Sequence, residues 1–152
     1  MSIKPVDFRE FETRIFGAFQ LSGFDRRYIY EGGRLLSAIR AGGGQIIAEG
    51  MRSGFRDRSD FGVLEEGTDS AFWTNPSFLM YCYATHVPGT FYDRALLVEG
   101  CPSAEEFVRY FHAHVRPVIF DVDALILGPT TQQLLIVTHY GVVALVQATP
   151  HA

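Results

Sequence analysis

Apolar residues recur at helical spacing near the start of the chain. The pattern predicts a helix over residues 7–20 whose apolar face carries Phe8, Phe11, Ile15 and Phe19. Asp7, followed three residues later by Glu10, has the spacing of a capping box at the helix start. A face this rich in phenylalanine favours a helix that packs against a sheet.

A second stretch, residues 103–116, has the same kind of pattern. Ser103 and Glu106 form another capping box, and Pro117 ends the helix. The apolar side of this predicted helix holds Phe107, Tyr110, Phe111, His114 and Val115.

Most of the other apolar positions fit strands. The predicted strands are 45–49, 78–87, 95–99, 121–127, 134–138 and 142–146. Residues 28–41 fit either a short helix or a strand, and residues 50–60 are typical of a polar loop. In the strand 78–87, one face is apolar and the other carries tyrosines, which indicates a core on one side only. The order of elements predicts an α+β fold, with both helices packed on a mostly antiparallel sheet.

Length and composition favour one domain over residues 1–152. The chain is 47% hydrophobic and 20% charged, close to globular averages. Its apolar runs are far shorter than the ~20 residues of a membrane span, and the N-terminus lacks a signal-peptide pattern. Two cysteines do not make a disulfide framework in a chain of this size. We therefore expect a soluble, cytoplasmic protein that does not bind membranes.

Charge narrows the choice of partners. The formal net charge of −4 disfavours nucleic acid as a partner. All basic residues except Lys4 are arginines, whose planar fork suits carboxylate or phosphate recognition. A run that includes Arg52, Arg56 and Arg58 is interleaved with acids, so it also fits an ordinary solvated surface.

The sequence lacks recognisable catalytic and cofactor motifs. The glycine run 42–44 has neither dinucleotide-loop spacing nor a following lysine. His112 and His114 lie two apart on a predicted helix and point about 200° apart, so they cannot share a metal ion. We expect no cofactor, no metal and no catalytic residue, and a role other than catalysis is favoured.

One polar cluster remains as an alternative pocket. Its four residues lie near the ends of predicted strands, where they can meet across a sheet: His86, Asp121, Asp123 and His139. Asp121 and Asp123 are two apart and therefore face the same side of a strand.

Aromatic density is the one feature above background. A third of residues 72–92 are aromatic, against 14% of the chain. Trp73, Tyr81 and Tyr83 fit three roles: core packing, anchors for a protein partner, or the lining of an apolar pocket. A contact surface would add charges from Arg52, Arg56, Arg58, Glu65 and Glu66.

Two functions follow from these patterns. The first is a small acidic module that binds another protein, such as an immunity protein or an inhibitor that neutralises its partner. The alternative is a cofactor-free binding protein or enzyme with an aromatic-lined pocket. The negative charge favours a basic partner, and self-association stays open.

Overall fold

The computed structural model describes residues 2–19, 31–42, 44–52, 59–83, 94–114 and 123–148. Helices and strands alternate irregularly along these residues. In chain order the elements are β1 (Ser2–Asp7), α1 (Phe8–Phe19), α2 (Gly32–Ala41), β2 (Ile46–Met51), α3 (Asp60–Glu66), a 3₁₀ helix (Phe72–Thr74), β3 (Ser77–Tyr83), β4 (Arg94–Glu99), α4 (Ala104–His114), β5 (Asp123–Gly128), β6 (Gln133–Val137) and β7 (Val142–Gln147).

The seven strands of the described residues form one sheet in the order β1-β4-β3-β5-β6-β7-β2. Every neighbouring pair is antiparallel. The α+β fold with an antiparallel sheet, expected from the sequence, is therefore confirmed. Pro5 lies in the edge strand β1, where a residue without an N–H group is tolerated.

Helices α1 and α2 cover one face of the sheet. Phe11 and Ile15 of α1 are fully buried, and Leu35 and Ile39 of α2 join the same cluster. Tyr81 of β3 lies in this cluster as well. We call this side of the sheet the α1 face.

Helices α3 and α4 and the 3₁₀ helix cover the opposite side, which we call the α4 face. Phe107 and Phe111 of α4 pack there against Phe78 and Met80 of β3. Strand β3 is therefore buried on both sides. The expectation that it has a core on one side only is wrong, because each of the two predicted helices covers a different face.

Side chains cap both predicted helices. The backbone N–H of Arg9 donates to Asp7 Oδ1 at 2.8 Å, and that of Glu106 donates to Ser103 Oγ at 3.2 Å. Strand β1, which precedes α1, was not expected from the sequence. The ambiguous region resolves into helix α2 where it is described, and the N–H of Gly42 ends that helix by donating to the Ala38 carbonyl.

Helix α3 is a second element that the sequence pattern missed. Ser59 caps it by accepting from the Gly62 N–H at 3.1 Å. Two glycines let it lie close to the sheet. A Cβ at Gly50 would come within 2.4 Å of the Val63 carbonyl oxygen, and one at Gly67 within 2.6 Å of a Val143 methyl. Both contacts are closer than real Cβ atoms approach, so α3 needs glycine at these positions.

Among the described residues, no helix is long and apolar enough to cross a membrane.

Candidate binding groove

A cavity of about 380 Å³ opens on the α4 face. Its walls are α3 with the loop that follows it, and the start of α4. Phe61 and Glu65 line it from α3, and Ser103 and Glu105 from the opposite wall. We call this cavity the groove. The two helices are also joined directly, since His112 Nε2 lies 2.7 Å from Asp60 Oδ2.

Trp73, in the 3₁₀ helix, is the aromatic centre of the groove. Its ring meets Phe72 edge-on at 5.0 Å between centroids and lies 5.9 Å from the Phe107 ring. Its Nε1–H donates to Thr68 Oγ1 at 3.1 Å, and the Thr68 hydroxyl in turn donates to the Leu64 carbonyl at 2.8 Å. The indole is therefore fixed by packing and by a hydrogen-bond relay to α3, while part of its surface faces the groove.

Three carboxylates line the groove, and they are engaged to different degrees. Asp69 accepts from the Phe72 N–H at 2.9 Å and from Gln133 Nε2 at 3.5 Å, so both its oxygens serve the fold. Glu105 pairs with an arginine of α4. Among the described residues, the exposed carboxylate of Glu65 has neither a hydrogen-bond nor an ion-pair partner. Glu65 is therefore the carboxylate most available to a ligand.

The charge balance of the groove favours a cation. None of the described residues that line it is basic. The N-terminus of α4 contributes about half a positive charge, which is small against three carboxylates. A cation over an indole face gains about 0.5–2 kcal/mol. The combination of Trp73 with Glu65 suits a guanidinium or ammonium group.

Of the predicted contact residues, Trp73 and Glu65 lie in the groove and Tyr81 does not. Tyr81 is only 4% exposed, and its ring lies 4.9 Å from that of Phe8 and 5.7 Å from that of Phe11. Of the three roles that the sequence left open for Tyr81, this burial fits core packing, because α1 covers the ring. The other tyrosine, Tyr83, ends β3, and its side chain lies outside what the structure describes.

Of the charged residues predicted at the contact surface, Glu65 is the one described residue that lines the groove. Glu66 is exposed on α3 but does not line the groove. Arg52 follows β2, where its N–H donates to the Gly141 carbonyl at 2.8 Å, and it too lies outside the groove lining. Arg56 and Arg58 lie outside the described residues.

Half of the predicted polar cluster is described, and its two residues meet. His139 donates its backbone N–H to the buried Asp123 Oδ1 at 2.7 Å, and its Nδ1 lies 3.0 Å from the same oxygen. The His139 and Tyr140 rings lie 3.9 Å apart between centroids and are tilted by 37° to each other. His86 and Asp121 lie outside the described residues. Where the chain is described, no group of three or more potential metal ligands forms.

Neither cysteine is placed for chemistry. Both thiols are free and buried. Burial raises the pKa of Cys82 to about 12. The pKa of Cys101 is also raised, chiefly by burial, although its Sγ contacts the Ser103 carbonyl.

Several groove residues were not singled out from the sequence: Phe61, Thr68, Asp69, Ser103 as a lining residue, and Glu105. The missed signal was the short cap Ser59–Gly62, which begins a helix with Phe61 and Glu65 four residues apart on one face.

Comparisons of the chain with protein-family models, with curated proteins and with solved structures find no match.

Proposed function

We propose that this chain is a small acidic module that binds a basic protein, with the groove receiving an arginine or lysine side chain of that partner. The observation that carries the proposal is that Trp73 and the unengaged carboxylate of Glu65 line the same cavity, in which none of the described lining residues is basic. An inhibitor or an immunity protein that neutralises its partner is the class of function we expect.

The energetics favour a protein as the ligand over a lone amino acid. A cation on the indole is worth about 0.5–2 kcal/mol and an exposed ion pair about 0–1 kcal/mol. These gains are smaller than the cost of association, which is at least about 4 kcal/mol. A partner protein supplies the remaining contact area around the groove. The net charge of −4 further favours encounter with a basic surface.

The size of the cavity supports the alternative function. Small-molecule sites have volumes of about 300–1,000 Å³, and the groove has about 380 Å³. A small amine with several polar groups could fill it and gain enough contact without a protein around it. The alternative is therefore a binder of small cationic molecules.

Both functions are tested by titration calorimetry with three probes. The first is a nine-residue blocked peptide with one central arginine flanked by glycines and serines. The second replaces the arginine by citrulline, which keeps the shape and loses the charge. The third is N-acetyl-arginine methylamide alone. We expect the arginine peptide to bind more tightly than the other two probes.

The matched variants are Glu65→Gln and Glu66→Gln. They remove the same charge from adjacent exposed positions of α3, but only Glu65 lines the groove. Glu65→Gln should weaken the arginine peptide about five-fold, since an exposed ion pair is worth up to about 1 kcal/mol. Glu66→Gln should leave its affinity unchanged.

Equal binding of the arginine and citrulline peptides, or equal effects of the two variants, would contradict the proposal. If N-acetyl-arginine methylamide binds as tightly as the peptide, the small-molecule function replaces the protein-binding one. Because Trp73 is the only tryptophan in the chain, a change in its fluorescence reports occupancy of the groove directly.

A further inference from the structure

Arg109 of α4 stands beside the groove without lining it. Its Nη2 lies 2.7 Å from Glu105 Oε1, and its Nη1 lies 3.4 Å from Glu106 Oε1. Of these two acids, only Glu105 belongs to the groove lining. The guanidinium of Arg109 therefore already neutralises one of the groove carboxylates from outside.

We propose that Arg109 acts as an internal competitor that lowers the affinity of the groove for its cationic ligand. The inference rests on the proposed function, because it concerns the same site. A guanidinium or ammonium group that enters and reaches Glu105 must either share its carboxylate with Arg109 or displace Arg109, so it gains a weaker interaction there. The free groove thus discriminates against weakly held single cations, and a partner with contacts beyond the groove overcomes the competition.

The arrangement makes this exchange easy. The Arg109 side chain is 67% exposed and that of Glu105 is 57% exposed, so their pair is screened by water and held weakly. Arg109 also keeps a second acid, Glu106, to which it can move when Glu105 is engaged. Glu106 lies one residue further along α4 and does not line the groove. Arg109 therefore need not be left without a counter-charge.

The chain offers a matched control for Arg109. Arg14 pairs with Glu10 at 4.0 Å on α1, with the same i,i+4 spacing and similar exposure, but on the opposite face of the sheet. Arg109→Gln and Arg14→Gln change the net charge equally, and both remove only exposed ion pairs within one helix. A difference between them in ligand affinity reports a local effect on the groove.

The experiment titrates the arginine nonapeptide into the wild-type chain, Arg109→Gln, Arg14→Gln and Arg109→Gln/Glu105→Gln, and follows Trp73 fluorescence. We expect Arg109→Gln to bind about two- to five-fold more tightly, the range set by an exposed ion pair. Arg14→Gln should bind as the wild type does. The double variant should lose the gain, because the liberated carboxylate is gone.

Two outcomes overturn the inference: no gain in Arg109→Gln, or an equal gain in Arg14→Gln, which would indicate a long-range charge effect. If in either case Glu65→Gln still weakens the peptide and Glu66→Gln does not, the proposed function stands and only the competition by Arg109 is wrong. If the peptide binds none of these proteins, both are wrong.

Discussion

Both faces of the sheet carry buried aromatic rings, but the two cavities lined by described residues differ in size: the groove on the α4 face has about 380 Å³ and the cavity beside α2 about 210 Å³. On the α1 face, Phe8 and Phe11 lie over Tyr81 and leave it 4% exposed. On the α4 face, Trp73 packs just as closely on Phe72 and Phe107 but keeps part of its ring in a cavity. Aromatic packing alone therefore does not separate a core residue from a binding residue.

The difference comes from how long the covering helices are. Helix α1 spans 12 residues, and its stripe reaches across several strands. Helix α3 spans seven residues and ends at Gly67. The loop after it, with Thr68 and Asp69, lines the cavity next to Trp73, and the start of α4 forms the other wall. A short helix followed by a loop leaves the indole accessible from one side.

The largest expected effect tests whether both layers belong to one core. Phe11→Ala removes a fully buried ring from the α1 face and Phe107→Ala one from the α4 face. Each should lower the free energy of unfolding by about 3–5 kcal/mol. Urea denaturation followed by circular dichroism measures both. A small loss for Phe11→Ala alone would show that the α1 layer is peripheral and would break the comparison.

Gly50→Ala should disturb the α4 face selectively. The new Cβ would lie 2.4 Å from the Val63 carbonyl oxygen, so α3 must move away from β2. We expect a loss of about 1–3 kcal/mol in stability, as for other overpacked sites. Because α3 carries Phe61 and Glu65, binding of the arginine peptide should weaken too. Stability and binding both unchanged would mean that α3 is not held by this contact.

High pH should also act through the α4 face. Burial raises the pKa of Cys82 to about 12, and it raises the pKa values of Cys101 and Tyr110 as well. In the unfolded chain the thiols ionise near pH 9, while the folded Cys82 keeps its proton to about pH 12. Unfolding in this window releases protons, so the free energy of unfolding falls as pH rises, by at most about 1.4 kcal/mol per pH unit per group.

Urea denaturation between pH 8 and 10.5 checks this prediction in the wild-type chain and in Cys82→Ala. The variant should lose stability less steeply with pH, whatever its stability at pH 8. Identical slopes would show that the Cys82 thiol ionises as readily in the folded chain as in the unfolded one.

The smallest expected effect is on the α1 face. A Cβ at Gly17 of α1 meets no atom within 4 Å. Gly17→Ala should stabilise the chain by about 0.5–1 kcal/mol, because alanine has the higher helix propensity. The melting temperature should rise while affinity for the arginine peptide stays the same. A fall in stability would mean that the new methyl group at position 17 clashes with a neighbouring residue.

Regular patterns allowed much of the fold to be predicted from the sequence. The stripes of α1 and α4, with caps at Asp7 and Ser103, needed only local spacing. Helix α3 escaped because seven residues give too few repeats, and its glycine contacts at Gly50 come from tertiary packing. The edge strand β1 escaped because its pairing with β4 joins residues more than 85 positions apart.

The groove was only partly predictable, because its residues are brought together by tertiary packing that local spacing does not reveal. Trp73 and Glu65 were expected at a contact surface, and both line the groove. Tyr81 shared the sequence features of Trp73, but whether α1 would cover it depends on which face each helix takes. Glu105 looked like an ordinary first-turn acid of α4 until the fold placed it across the groove from Glu65.

The most direct test of the account is a two-dimensional ¹H–¹⁵N NMR titration with the arginine nonapeptide. We predict saturable shifts at the Trp73 indole N–H and at the amides of Glu65 and Glu105, with amides of Phe11 and Leu36 unmoved. The citrulline peptide should leave all of these signals in place. Shifts concentrated on α1 and α2, or no saturable shift at Trp73, would contradict the claim that the α4 face is the binding face.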